Sequence, residues 1–84
     1  MTYRLLFTNH ALKDINNLQA NIKTRVEKAL DLIGNNPYQG KPLKGEFKGC
    51  WSYRLGDYRI IYEIRKAEIV VIVLSVAHRR EVYR

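Results

Sequence analysis

The sequence is poor in the residues that build metal centres and disulfides. It has one cysteine, Cys50, and two histidines, His10 and His78, among 84 residues. A single cysteine cannot form an internal disulfide, and so few ligands make no zinc or iron–sulfur pattern. The composition therefore predicts neither a metal nor an organic cofactor, and it is typical of a cytoplasmic protein.

Long apolar runs are missing as well. The longest run, within residues 69–76, is far shorter than the ~20 residues that cross a bilayer. The first eight residues are too few and too polar at their edges for a signal peptide. We therefore expect no membrane association.

Acidic residues are outnumbered by basic ones. Fifteen Lys and Arg against eight Asp and Glu give a formal net charge of +7 and a pI near 9.8. Such an excess attracts polyanions, which favours a nucleic-acid partner. An acidic protein partner, or a basic protein without any nucleic-acid role, fits the same charge. The hydrophobic content of 46% predicts a globular chain, and the length predicts one domain, residues 1–84.

The first half of the chain predicts a strand and two helices. Arg4–Phe7 is apolar enough for a short strand, and Thr8 is a suitable N-cap for a helix through about Leu18. Apolar residues at three- and four-residue steps predict a second helix over residues 21–33. Gly34 then stands where a C-cap glycine is common.

The second half changes to a period of two. Residues 51–55 and 58–64 alternate apolar and polar side chains around Gly56-Asp57, which predicts a hairpin with a two-residue turn. The run over residues 69–76 predicts a final strand beside this hairpin. The order β-α-α-β-β-β predicts an α+β fold, with a mainly antiparallel sheet and two helices packed on one face.

The predicted turn places two arginines opposite each other. With Leu55 paired to Tyr58, Arg54 faces Arg59, and both project from the face that the helices do not cover. Like charges across a strand pair are destabilising, so the pair indicates a bound anion such as a phosphate. The alternative is that Glu63, two residues along the strand, neutralises Arg59.

Three segments resemble the RelE branch of the RelE/ParE toxins of bacterial and archaeal toxin–antitoxin pairs. They are residues 55–62, the strand over residues 69–76, and the ending His78-Arg79-Arg80-Glu81-Val82-Tyr83. The resemblance implies a ribosome-dependent mRNA endonuclease that cuts the codon in the A site without a metal. It also implies a cognate antitoxin that blocks the toxin, and binding of operator DNA only as a complex with that antitoxin.

The same resemblance assigns roles to single residues. Arg59 matches the arginine that holds the scissile phosphate, and Arg79 matches the one that stabilises or protonates the leaving 5′ oxygen. Tyr83 matches a tyrosine that orients the target base. Arg54 matches one of two basic residues on the first hairpin strand, whereas the other falls at Ser52, which carries no charge.

Other basic residues complete the predicted site. His78 is a candidate general base in place of the missing basic residue at Ser52, because a neutral imidazole accepts a proton near pH 7. Four further cations are candidates for contacts with mRNA or ribosomal RNA: Lys41, Lys44, Lys48 and Arg80.

Two other functions fit the resemblance. A ParE-like toxin has the same expected fold but binds and inhibits DNA gyrase and cleaves no RNA. A catalytically inactive relative, retained for operon regulation with the antitoxin, is the third interpretation, and the uncharged Ser52 keeps it open.

Overall fold

A computed structural model describes residues 2–78 of the chain. The predicted order of helices and strands is confirmed, with one additional short strand, β2. The elements are β1 (Arg4–Phe7), α1 (Asn9–Asn16), α2 (Ala20–Asn35), β2 (Lys41–Pro42), β3 (Cys50–Leu55), β4 (Tyr58–Arg65) and β5 (Val70–His78). The five strands form one sheet in the order β1-β5-β4-β3-β2, and α1 and α2 pack on one of its faces.

The first helix begins at the predicted cap. Thr8 has extended backbone, and its hydroxyl oxygen accepts a hydrogen bond from the N–H of Ala11 at 3.1 Å. The same hydroxyl donates to the carbonyl of Leu74 at 3.0 Å, which ties the start of α1 to β5. The helix ends at Asn16, two residues before the predicted end at Leu18.

The prediction that Gly34 caps the second helix was wrong. Helix α2 continues to Asn35, and Gly34 is buried within its last turn. The carbonyl of Gly34 accepts a hydrogen bond of 2.7 Å from the N–H of Tyr3. A Cβ at this position would lie 3.5 Å from the Tyr3 carbonyl oxygen, an ordinary van der Waals distance, so the space next to the chain before β1 does not itself require glycine. No helix within residues 2–78 is long and apolar enough to cross a membrane.

The hairpin forms with the predicted register. Leu55 pairs with Tyr58, Arg54 with Arg59, and Ser52 with Ile61. Gly56 has a φ of 60°, the positive value that the first central position of a type II′ turn requires. The turn therefore sets which side chains of β3 and β4 share a face.

The final strand lies between β4 and β1, as a central strand of the sheet. It pairs antiparallel with β4 and parallel with β1, which confirms that it borders the hairpin. A bulge interrupts the β4–β5 register, because Ile61 pairs with Ser75 whereas Tyr62 pairs with Val73. Leu74 is the extra residue, and it lets both Val73 and Val76 face the core.

The sheet has two different faces. The face against α1 and α2 carries the hydrophobic core, which includes Ile60, Tyr62, Val71, Val73 and Val76. We call the opposite side the far face. Strands β3 and β4 place seven side chains there: Cys50, Ser52, Arg54, Arg59, Ile61, Glu63 and Arg65.

Tyr62 connects the core to the segment that precedes β2. The side chain is fully buried, and its hydroxyl donates a hydrogen bond of 2.6 Å to the carbonyl of Pro37. Burial raises the pKa of the Tyr62 phenol to about 12, and a hydrogen bond with the backbone of Gly40 opposes this increase. A Cβ at Gly40 would collide with the Tyr62 hydroxyl and lie 2.6 Å from the Ser52 carbonyl oxygen. Glycine is therefore required where this segment crosses Tyr62.

The variant Tyr62→Phe tests this connection. It removes one hydroxyl and leaves the Pro37 carbonyl without its buried donor, so we expect the free energy of unfolding to fall by about 1–3 kcal/mol. Urea denaturation followed by circular dichroism measures the change. Tyr58→Phe, in the half-buried ring at the start of the same strand, is the control and should change the free energy by less than ~0.5 kcal/mol.

Alkaline pH should weaken the fold through the same residue. The pKa of Tyr62 is about 12 in the folded protein against 10.0 for an unperturbed tyrosine, so folding favours the neutral phenol. Its stabilising contribution is complete below pH 10 and is lost as the pH rises through 12. Urea midpoints across this range should fall less steeply in Tyr62→Phe than in the wild type, and parallel declines would contradict the assignment.

Candidate anion-binding cleft

The hairpin holds Arg54 and Arg59 side by side on the far face. They are register partners on β3 and β4, and directly opposite residues have Cβ atoms ~5 Å apart. Arg54 is exposed, and its Nε donates to the carbonyl of Gly56 at 3.3 Å. Arg59 is half-buried and its Nε is fully buried. A half-buried guanidinium next to a second one concentrates positive charge at this point of the sheet.

Glu63 forms an ion pair with Arg65, its neighbour two residues along β4. Oε1 of Glu63 lies 2.9 Å from Nε of Arg65. This contact lies toward the end of β4 that is away from the turn. Glu63 is thus engaged with Arg65, and its neutralisation of Arg59 stays an alternative prediction.

The two arginines line a cleft with a volume of about 420 Å³. Strands β2, β3 and β4 and the segment before β2 form its walls. Among the described residues that line it, three are basic and none is acidic. The lining residues are Gln39, Gly40, Lys41, Pro42, Leu43, Ser52, Tyr53, Arg54 and Arg59.

Sequence reasoning did not foresee the contribution of β2. A strand of two residues gives no periodic signal, and the segment reads as a loop because of Pro37, Gly40 and Pro42. In the structure Lys41 is the register partner of Ser52, so β2 brings a lysine to the far face. Pro42 fits this position, because proline within a sheet is confined to edge strands, strand starts and bulges.

His78 lies on the other side of the sheet. Strand β5 extends to His78, two residues beyond its predicted end, and His78 is the register partner of Tyr58. The two rings are in edge-to-face contact, with centroids 5.5 Å apart. Both residues line a separate cavity of about 230 Å³, which also involves Asp14 and Leu18 of the helical layer. The structure therefore does not bring His78 together with Arg54 and Arg59.

The remaining predicted residues fall into two groups. Lys44 and Lys48 are exposed on either side of a short 3-10 helix, Gly45–Phe47, and neither lines the cleft. Arg79, Arg80 and Tyr83 lie outside the described residues. Their predicted roles in catalysis and RNA binding therefore stay predictions.

Within residues 2–78, no group of three or more His, Cys, Asp or Glu is placed to hold a metal ion. Burial, together with the carboxylate of Glu63, raises the pKa of the Cys50 thiol. A thiol with a raised pKa is a poor nucleophile and a poor metal ligand at neutral pH. The chemistry that this cleft offers is instead the binding of an anion by guanidinium and ammonium groups.

Comparisons with known proteins agree with the fold and with its resemblance to RelE. Residues 5–83 match the family described as the ParE toxin of the type II toxin–antitoxin system parDE. Toxin RelG of Mycobacterium tuberculosis is 37% identical over 86 residues, covering 100% of this chain and 99% of the relative. The mRNA interferase toxin RelE of Escherichia coli K12 is 31% identical over 88 residues, covering 99% and 92%.

A solved structure shows the same architecture. One chain in the crystal structure of a RelBE toxin–antitoxin complex from Mycobacterium tuberculosis superposes with a TM-score of 0.88 and 33% identity. The match covers 94% of this chain and 93% of that chain. Three findings point to the same family: the α+β fold, the family match over nearly the whole chain, and the RelE and RelG relatives. The chain therefore belongs to the ParE toxin family of type II toxin–antitoxin systems and is a RelE-like toxin.

Proposed function

We propose that this toxin is a ribosome-dependent mRNA endonuclease that cuts codons in the ribosomal A site. The observation that carries the proposal is the pair of register partners Arg54 and Arg59 at a cleft with basic and no acidic lining residues among those described. A relative with 31% identity is named an mRNA interferase, which supports RNA as the substrate. Inhibition of translation is the expected consequence in the cell.

We also propose that a cognate antitoxin neutralises the protein. The solved structure with the TM-score of 0.88 is a complex of a toxin with its antitoxin. The basic charge of +7 suits an acidic segment of such a partner and also suits mRNA and ribosomal RNA. Operator DNA is a proposed ligand of the toxin–antitoxin complex only.

The proposed reaction uses a nucleophile within the RNA. The 2′-hydroxyl oxygen attacks the adjacent phosphorus as the bond from phosphorus to the 5′ oxygen breaks. The products are a 2′,3′-cyclic phosphate and a new 5′-hydroxyl, with one proton leaving the nucleophile and one reaching the 5′ oxygen. The protein has to align the reacting atoms and stabilise the additional negative charge, and neither task requires a metal.

The cleft residues suit charge stabilisation. Arg54 and Arg59 offer guanidinium forks to the non-bridging oxygens of the phosphate. Arg79 is proposed to stabilise the leaving 5′ oxygen, and Tyr83 to orient the target base. The ribosome is proposed to hold the codon in a reactive geometry, because the described residues of the cleft include cations but neither a histidine nor a carboxylate that could act as a general acid or base.

DNA gyrase is the second candidate target. It is favoured by the description of the matching family, which names the ParE toxin. Such a toxin would bind gyrase and leave RNA intact. The two functions make opposite predictions in one experiment, because only one of them consumes mRNA.

Arg59→Ala tests the ribonuclease function. In a cell-free translation reaction, the wild type should cut mRNA within codons on ribosomes, and primer extension should detect the ends. Loss of the half-buried guanidinium at the cleft should reduce the rate by at least ~10²-fold, since it removes a charge aimed at the transition state. Arg65→Ala removes the same charge from the same strand and is the control. Its cleavage rate should stay within about twofold of the wild type, because the ion pair of Arg65 is exposed.

Equal rates in Arg59→Ala and Arg65→Ala would remove the cleft from the mechanism. Intact mRNA together with inhibited DNA supercoiling by purified gyrase would instead support the second candidate. Thermal melts of both variants confirm that each one is folded before the rates are compared.

His78→Gln tests the role that the sequence suggested for the imidazole. A general base contributes ~10²–10⁴-fold to a rate. Because His78 contacts Tyr58 away from the arginine cleft, we expect the cleavage rate to fall by less than about tenfold. A loss of ~10²-fold or more in a folded variant would place the imidazole in the reaction after all.

A further inference from the structure

We propose that Lys41 is the third phosphate-binding cation of the cleft and takes the place of a basic residue at Ser52. This inference rests on the proposed ribonuclease function and adds a catalytic residue to it. Lys41 comes from the edge strand β2, whereas the two arginines come from the hairpin.

The sheet register places Lys41 on the correct face. Its register partner is Ser52, and partners across an antiparallel pair project from the same side of the sheet. Ser52 shares the far face with Arg54, two residues along β3. Lys41, Ser52, Arg54 and Arg59 all line the same cleft.

The spacing allows the three cations to reach one phosphate. Arg54 and Arg59 are directly opposite, with Cβ atoms ~5 Å apart, and Lys41 is a diagonal neighbour of Arg54 at ~7–8 Å. Lysine and arginine side chains are each long enough to span these separations. A tetrahedral anion with several oxygens relieves the mutual repulsion of the three charges.

Ser52 itself contributes no charge. It is only 7% exposed, and its short side chain stays close to the sheet. The positive charge that Ser52 lacks is therefore supplied by Lys41 on the neighbouring edge strand β2. The exposed position of Lys41 lets its stem cross the Ser52 position while the ammonium stays solvated until RNA binds.

The backbone that carries Lys41 is held in place on both sides. On one side, the hydroxyl of Tyr62 donates a hydrogen bond of 2.6 Å to the carbonyl of Pro37 and also forms a hydrogen bond with the backbone of Gly40. On the other side, the N–H of Leu43 donates to the carbonyl of Cys50 at 2.9 Å. The Cα of Lys41 is therefore fixed before substrate arrives, which reduces the entropy cost of binding.

Single-turnover cleavage on ribosomes tests the inference directly. Lys41→Met keeps most of the side-chain stem and removes the charge, and we expect the rate at saturating toxin to fall by about tenfold or more. Lys41→Arg should keep most of the rate. Lys28→Met, on the exposed side of α2, is the matched control and should stay within about twofold of the wild type.

A charge-relocation variant separates chemistry from general damage. In Lys41→Met combined with Ser52→Lys, the new ammonium reaches the same cleft from β3, so part of the lost rate should return. A folded double variant that recovers nothing, or a Lys41→Met rate equal to that of Lys28→Met, would overturn the proposal.

A binding measurement distinguishes failure of this inference from failure of the proposed function. The probe is a codon-length RNA with 2′-O-methyl groups, which cannot be cleaved. Loss of one phosphate contact should reduce the slope of log affinity against log salt by ~0.7 in Lys41→Met and leave Lys28→Met unchanged. If the wild type cuts no mRNA but shows this difference, the nuclease function fails and the cation site stands. Equal slopes would exclude Lys41 as a phosphate ligand.

Discussion

The register of the β3–β4 hairpin is the constraint on which the rest of the molecule depends. Gly56 adopts a positive φ that a side chain would strain, and this closes the hairpin with only two residues in the turn. A slip of one residue would exchange the two faces and move Tyr62 from the core to the far face. The apolar face and the arginine pair are therefore specified together, and the hydrophobic free energy of the core offsets the repulsion between Arg54 and Arg59.

The cleft then depends on a second, local constraint, the attachment of β2. A two-residue strand has too few hydrogen bonds to hold itself in place. Its position comes from the hydrogen bond between Leu43 and Cys50 and from the buried hydroxyl of Tyr62, which reaches from the core to the segment ending at Gly40. The same aromatic residue thus fills the core with its ring and positions the wall of the cleft with its oxygen. Stability and the geometry of the cleft are linked through one side chain.

The sequence was sufficient for the features that local chemistry determines. The cap at Thr8, the turn at Gly56 and the strand alternation around it are short-range signals, and each is confirmed. The role of Gly34 was wrong because its burial depends on the approach of β1, a long-range contact. The side on which His78 lies was equally hidden, since a bulge inside a continuous apolar run leaves no mark in the pattern of residues 69–76. Lys41 was among the predicted RNA contacts, but its place beside the two arginines could not be predicted because β2 is too short to have a period.

The bulge at Leu74 has a consequence for how this protein tolerates insertions and deletions. Leu74 is the one residue of β5 that has no partner on β4, so it belongs to neither alternating set. A chain that lost this residue would keep Val73 and Val76 facing the helices and Ser75 and Ala77 facing away. In a chain that gained a residue elsewhere in the strand, every side chain after the insertion would move to the opposite face of the sheet. Among related toxins, insertions and deletions in this strand should therefore occur at the bulge, where they leave the faces of the other residues unchanged. They should be absent from the stretch next to Arg59.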